Sequence, residues 1–463
     1  MLELANRLSQ YKVEGLKSRP IASGKLVRVV GLTLEATGCK APIGSLCLVE
    51  TMSGQMEAEV VGFSGDNLFL MPSEQITGIL PGARVTPVTS ESGIPVGMEL
   101  LGRVIDGVGN PLDGLGPIYT EQRASFNAEP INPLARKPIS EPLDVGLKAI
   151  NGLLTVGKGQ RIGLFAGSGV GKSVTLGMMT RGTTAQVVVV GLIGERGREV
   201  QEFIESTLGE EGLARSVVVV ATSDESPLLR VRASLLATAI AEYFRDEREC
   251  DVLLAMDSLT RFAQAQRQVG LARGEQPAMR GYPPSVFAML PILVERAGAI
   301  SGGGSITGLY TVLVEADDMS EPVSDAAQSV LDGHIVLCPD RAARGRYPAV
   351  DSIESISRVA DRVTDENHRA ARRELRMLLS ALRDVEELVS IGAYVKGTDP
   401  LTDTALELQD RIESFLGQEP RESGDYPETC RTLVELATEA IRMRQRRIKA
   451  VPAGVAPVRE GST

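Results

Sequence analysis

The sequence predicts an α/β chain in three parts: a small N-terminal β-barrel, a central domain with a mostly parallel sheet, and a C-terminal helical domain. Short β runs separated by turns fill the stretch from Ile21 to Val88. Beyond Gly146, continuous apolar runs alternate with helical stretches, and past Asp361 the strands stop and long amphipathic patterns take over. At 463 residues the chain exceeds one ordinary domain. The expected divisions are 1–90 for an N-terminal segment and barrel, 91–360 for the central domain with its linker, 361–449 for the helices and 450–463 for a disordered tail.

In chain order, residues 2–16 carry Leu4, Leu8 and Tyr11 at helical spacing, which predicts a short amphipathic helix. Its apolar stripe is covered either by the barrel or by a partner protein. The barrel strands are expected at Lys25–Val30, Ser45–Glu50, Met56–Phe63, Leu68–Met71 and Arg84–Val88, with Gly65-Asp66-Asn67 as a hairpin signal. Thr89–Val96 and Asn127–Pro142, the latter holding four prolines, read as connectors. The runs Ile162–Ala166, Gln186–Ile193, Ser216–Ala221, Val252–Met256, Ile306–Val314 and His334–Leu337 lack polar alternation. Strands of that kind are buried on both faces, as in a parallel sheet between helix layers. Leu228–Phe244 is an intervening helix with Val231, Leu235, Ala239 and Tyr243 on one stripe, and Glu366–Leu388, Asp403–Leu416 and Tyr426–Lys449 form the helical domain. Ala450–Thr463 has two prolines and no periodicity.

A net charge of −11 weighs against a surface built to neutralise a nucleic-acid backbone. The five cysteines form no close pair and there are only two histidines, so neither a disulfide framework nor a zinc site is suggested, and free thiols in a reducing cytosol are expected. The longest apolar runs fall far short of a membrane span, so any membrane association is expected to be peripheral.

The central domain is organised around Ala166–Ser173, AGSGVGKS. Gly167, Ser168, Gly169, Val170 and Gly171 are small enough for backbone N–H groups to curl around an anion, and the helix continuing through Val174 aims its positive end at it. In such loops the lysine, here Lys172, reaches the β- and γ-phosphates of a nucleotide, and the next hydroxyl, here Ser173, ligates Mg²⁺. Ala166 stands where the strict pattern has glycine. A hydrolase of this type also needs a carboxylate at a second strand end for the magnesium shell, and Asp257 follows Val252–Met256. Glu195, just past Gln186–Ile193, is either the group that orients the attacking water or the start of a charged helix, and chemistry alone leaves both open. Ser301–Ser305, SGGGS, lacks a following Lys-Ser and reads as a turn. The Arg273–Pro284 loop, with Arg280 and Tyr282 expected to be exposed, is either a contact surface or a static loop.

Together with the loop, GLIGERGREV (191–200), AMDSLTRFAQAQR (255–267), RGYPPSVFAMLPILVERAG (280–298) and YPAVDSIESISR (347–358) closely resemble the type III export ATPases, relatives of the rotary ATP synthase α and β subunits. The resemblance runs from about residue 20 to about 445. It implies a RecA-like ATPase domain binding ATP and Mg²⁺, with Lys172 and Ser173 on phosphate and magnesium, Asp257 as the second acidic motif and Glu195 as the catalytic carboxylate. Arg196 follows that carboxylate as in the family, Arg261 matches an arginine near the γ-phosphate, Tyr347 matches the aromatic on adenine, and Arg358 matches an arginine finger reaching the neighbouring subunit's site. The second side of the adenine pocket, near Pro420–Tyr426, has no match. The wording of the loop and of VVGLTLEATGC sides with the flagellar enzyme over its injectisome cousin. The implied assembly is a homohexamer in the cytoplasm, peripheral to the inner membrane at the flagellar base. Its implied partners are a coiled-coil stalk, a regulator at the N-terminal segment, chaperone–substrate complexes and the membrane export gate, with no nucleic acid. The rival readings are an injectisome ATPase, a catalytic subunit of a proton-translocating ATP synthase, and an RNA-translocating ring ATPase. For the last, Phe63 and Phe69 alone make a thin stacking platform.

Overall fold

The computed structural model describes residues 22–450 apart from 75, 89–92, 121, 127–130 and 315–317. The helix expected over 2–16 lies outside the described residues, as does the tail expected over 450–463 except for Ala450, which ends the last helix. The chain divides between Ser92 and Gly93 into two compact units.

The first unit is a closed six-stranded barrel of β1 (Gly24–Val30), β2 (Thr33–Thr37), β3 (Leu46–Thr51), β4 (Gly54–Ser64), β5 (Asn67–Pro72) and β6 (Arg84–Pro87), in the order β1-β2-β5-β4-β3-β6. Every neighbouring pair is antiparallel, and β6 closes the barrel on β1. Alternate side chains such as Leu34, Val49, Val60 and Leu70 fill the interior. The turn between β4 and β5 falls at Gly65-Asp66, where Gly65 has φ 58°, a value that L side chains avoid. Strand β2, TLEAT, is an addition to the strands expected from the sequence. It carries only two inward apolar residues, Leu34 and Ala36, and its Glu35 accepts a hydrogen bond from Asn67 Nδ2 at 2.8 Å.

The second unit is built on one sheet: β7 (Val104–Asp106), β8 (Arg161–Ala166), β9 (Val187–Glu195), β10 (Ser216–Thr222), β11 (Asp251–Asp257), β12 (Ser305–Leu313), β13 (Gly333–Leu337) and β14 (Val350–Ser357). Their order is β14-β13-β8-β12-β11-β9-β10-β7, all parallel except the β13/β14 pair. Valine-rich β9 and β10 are buried along nearly their whole length, as strands covered on both faces must be. Part of the expected Thr89–Val96 connector is strand instead, because Ile94–Val96 pairs with Gln122–Ala124 in a separate ribbon.

Helices α1 (Lys148–Leu153), α2 (Lys172–Gly182), α3 (Pro227–Asp246), α4 (Leu259–Ala272) and α5 (Pro284–Glu295) flank the sheet, followed by α6 (Glu366–Ser390), α7 (Pro400–Leu416) and α8 (Tyr426–Ala450). The stripe expected on α3 understates its burial. Leu235, placed on the inward face, is only half-buried, while Arg232, Ser234, Thr238 and Glu242 on other faces are buried. The helix packs against β9, β10, β11 and α4, so no side is left to solvent over most of its length. Helices α6 to α8 share a continuous core with the sheet: Leu375, Leu408 and Leu433 join Leu164 and Val188 through Ile150 and Leu153 of α1. Tyr282 corrects the expectation of an exposed ring. It is 6% exposed, with Phe287 edge-on and the Arg267 guanidinium 5.2 Å from its centroid, so an aromatic in a Gly/Pro-rich loop turns inward where a cation caps it. Arg280 does reach solvent, paired to Asp318 at 3.2 Å. All five cysteines are free thiols, and among the described residues no helix is long and apolar enough to cross a membrane.

Candidate active site

The parallel strands deliver their C-terminal ends to one edge of the sheet, where open α/β sheets bind ligands. Strand β8 ends at Ala166, whose methyl is buried in the core and whose carbonyl accepts the Val314 N–H at 3.0 Å. A buried methyl there explains why the strict glycine is dispensable. The loop then turns through Gly169 (φ 80°) and Gly171 (φ 90°) into α2, which starts at Lys172. Glycine suits position 171 because its φ lies in the left-handed region that L side chains rarely adopt, and the Tyr347 ring packs over it.

Two neighbouring strands aim carboxylates at the lysine. Asp257 ends β11 and pairs with Lys172 Nζ through Oδ1, which also accepts from Thr311 Oγ1 at 2.6 Å. Glu195 ends β9 after a bulge at Gly194 (φ 71°) and lies 3.4 Å from the same Nζ. Burial works to lower the pKa of Lys172, but the two carboxylates outweigh it and the net shift is upward. Burial first and the Asp257 charge second raise the pKa of Glu195 against the opposing pull of Lys172 and Arg261. Lys172 is thus shared between two acids, with the Arg261 charge acting on Glu195 as well.

Arg261, in the first turn of α4, lies against Gly194, where an added Cβ would be 3.0 Å from its own Cβ. Its Nη1 donates to Gln264 at 3.1 Å, while its buried Nε makes no hydrogen bond. The structure therefore brings Lys172, Glu195, Asp257, Arg261 and the loop together. Ser168, Gly169, Ser173 and Val174 are exposed along the mouth of the loop, and Gly167 and Val170 complete it below. Two predicted residues stand apart. Arg196 has a side chain 77% exposed and reaches only Glu199, at 3.7 Å. Arg358 follows β14, which runs antiparallel to β13 with Ser357 opposite Gly333, so it sits at the far edge of the sheet from Lys172 of its own chain. Its Nη2 donates to the Gln328 carbonyl at 3.4 Å.

A cleft of about 780 Å³ opens beside the loop. Gly171, Val174 and Met178 form its floor, Tyr347 and Pro348 one wall, and Gly417–Pro420 the other. This second wall includes a residue that sequence reasoning missed, the buried Gln418. Only the Gly/Pro-bearing turn after α7 hinted at a shaped loop there.

Residues 146–357 match the model of the ATP synthase alpha/beta family, nucleotide-binding domain, and 364–435 match the T3SS EscN ATPase C-terminal domain. A flagellum-specific ATP synthase of Pseudomonas aeruginosa is 55% identical over 93% of this chain and 97% of its own length. A type 3 secretion system ATPase of Xanthomonas euvesicatoria is 46% identical over 90% of this chain and 94% of its own. The assembled ATPase EscN of the enteropathogenic E. coli type III secretion system superposes with a TM-score of 0.85 at 44% identity, covering 89% of this chain and 100% of that one. EscN in complex with its central stalk EscO gives 0.83 at 43% identity, with the same coverage.

Proposed function

Since this chain belongs to the family that unites the flagellum-specific ATP synthases with the type III secretion ATPases, and is an ATPase of flagellar protein export, we propose that its catalytic sites form between the subunits of a homohexamer. The observation that carries the reading is the convergence of Glu195 and Asp257, from two strand ends, on the buried Lys172 of the loop. Lys172 holds the β- and γ-phosphates of ATP, and the backbone of Gly167–Gly171 cradles them. Ser173 and Asp257 would hold Mg²⁺, since a hydroxyl and a carboxylate are the hard oxygen donors that this ion takes. The ion would supply positive charge to offset that of the phosphates. Glu195, its pKa raised, orients the attacking water and is poised to accept its proton. Arg261 supplies charge at the γ-phosphate, and the exposed Arg196 is free to turn toward the same group. Tyr347 packs on the adenine. Arg358, at the edge of the sheet remote from its own loop, serves the neighbour's site, so each interface is complete with one kind of chain.

The flagellar reading rests on the flagellar relatives and includes a stalk in the ring, as EscN has EscO. The further partners we propose are a regulator at the N-terminal segment, chaperone–substrate complexes and the export gate, with peripheral attachment at the inner membrane. The division at 90, 360 and 449 is kept as the proposed domain plan.

The test mixes two inactive variants, Arg358→Ala and Glu195→Gln. Alone, each ring is crippled, because an arginine finger is worth about 10³ to 10⁵ in turnover. Random reassembly leaves roughly a quarter of interfaces with both groups intact. Turnover of the mixture is expected to exceed the sum of the separate variants more than about tenfold. With subunit exchange verified by mass-tagged chains, no rescue would sink the assignment of Arg358 to the neighbour's site.

A further inference from the structure

Among the described residues that line the cleft, none besides Tyr347 is aromatic. The aromatics on either side in sequence are committed elsewhere: Phe415 is buried in the core against Gly152, and Tyr426 has its ring 6.1 Å from His368 and its N–H donating to Asp144 Oδ2 at 2.8 Å. What forms the wall opposite Tyr347 is the turn Gly417–Pro420, and one buried amide ties that turn to two other segments. Gln418 is 6% exposed. Its Oε1 accepts the Lys148 N–H at 2.9 Å, and its Nε2 donates to the carbonyls of Gly146 at 2.7 Å and Glu422 at 2.8 Å. Its own N–H donates to the Tyr347 carbonyl at 2.9 Å. The amide can point only one way, because reversal would set its oxygen against two carbonyls.

We infer that Gln418 is a positioning residue for the base half of the cleft, holding the Gly417–Pro420 wall at the separation from Tyr347 that a nucleobase fills. The inference rests on the reading of Tyr347 as the base-packing residue. With no second ring to stack on, the base is gripped by spacing, and spacing is set by how firmly the turn is held. Gln418 holds it to the start of α1 and, through its backbone, to Tyr347 itself. The phosphate loop takes no part in these bonds, so the device acts on the base and leaves the phosphates alone.

Binding of Mg-ADP, and of Mg-pyrophosphate as the ligand without a base, tests this at pH 8 in the full chain. Gln418→Glu keeps the acceptor but loses both donors. It is expected to weaken Mg-ADP by about tenfold or more, the cost of stranding buried partners, while Mg-pyrophosphate stays within about twofold. A second pair of variants cuts the same clasp from the other side. Lys148→Pro removes the N–H that Gln418 accepts, at the first residue of α1, where proline is tolerated, and after Leu147, already extended at φ −115° and ψ 115°. Lys148→Ala removes the same side chain but keeps the N–H. Mg-ADP is expected to bind Lys148→Pro several-fold more weakly than Lys148→Ala, with no such gap for Mg-pyrophosphate. Should Gln418→Glu fail to fold, the Lys148 pair decides. Equal losses for both ligands, or no loss for Mg-ADP, would overturn the positioning role. Lys172→Ala in the same assay separates the premises: undiminished Mg-pyrophosphate binding there would defeat the phosphate-loop reading, whatever Gln418 does.

Discussion

The two edges of the central sheet both bury ionised side chains, and they pair them differently. At the N-terminal edge, Arg296 forks onto Glu242 at 2.8 and 2.5 Å and donates to the Phe126 carbonyl, while Arg161 reaches Asp332 at 3.0 Å and Arg245 donates to the Arg296 carbonyl at 2.8 Å. Charge there is matched, with Arg161 Nη1 also paired to Glu295, and the buried group left without a hydrogen bond is the uncharged Tyr310 hydroxyl. At the C-terminal edge Lys172 is shared by Glu195 and Asp257, and Arg261 keeps a buried Nε without a partner. Glu225 extends the imbalance. It follows β10, beside the Ser223 N–H that bonds the Glu195 carbonyl, and burial, then Asp106 and Asp224, push its carboxyl up to about 7. Matched pairs fix a fold, whereas unmatched ones leave charge for a ligand to complete.

The largest effect that sharpens this contrast lies at the unmatched edge. Glu195→Gln should keep Mg-ATP affinity within a few fold yet lose roughly two to four orders of magnitude in turnover, measured by steady-state phosphate release against nucleotide titration. At the matched edge, Arg296→Ala leaves Glu242 buried and unpaired and should cost about 3 to 5 kcal/mol of stability by denaturant unfolding. The double change Glu242→Leu with Arg296→Met should restore most of that loss, since a matched pair is worth little more than good apolar packing. Turnover per folded molecule should hardly move in either variant; a drop comparable to that of Glu195→Gln would erase the distinction between the edges.

The smallest effect concerns Glu225. Folding lifts its pKa from 4.5 to about 7, so the folded chain holds this proton over a range where the unfolded chain has lost it. Between those values the cost of the ionised group grows with pH, and above about 7 it is fully present. Glu225→Gln should therefore raise the melting temperature at pH 8, less at pH 6, and leave it unchanged below about 4.5, where both states are protonated. Glu225 is only partly buried, which keeps the gain modest. An equal gain at every pH would point to packing instead.

The elements legible in the sequence are those whose burial is uniform. Val187–Glu195 and Ser216–Thr222 announce themselves as unbroken apolar runs, and the strand ends at Ala166, Glu195 and Asp257 follow from them. Strands set at a boundary were harder to see. Thr33–Thr37 carries two apolar residues among polar ones, and Val350–Ser357 alternates buried Val350, Ser352 and Ser355 with charged Asp351 and Glu354, a pattern that an edge strand shares with a loop. Tyr282 and Leu235 were misplaced because their burial depends on what packs over them, Arg267 in one case and the surroundings of α3 in the other. The converging carboxylates could be inferred from motif spacing. Gln418 could not, because a lone glutamine after a helix acquires its partners only when distant backbone arrives.

That distance bears on how the protein is made. Gln418 meets Lys148 across 270 residues and Gly146 across 272. A ribosome that has released the chain as far as α4 has already supplied Lys172, Glu195, Asp257 and Arg261, but neither Tyr347 nor the turn at Gly417–Pro420. The chain is thus synthesised with its phosphate grip first and its base grip last, and the full cleft can close only after translation has passed the end of α7. Truncation between Arg358 and Gln418 therefore leaves a polypeptide that carries every residue proposed for triphosphate chemistry but no clasp to hold the nucleotide's other end.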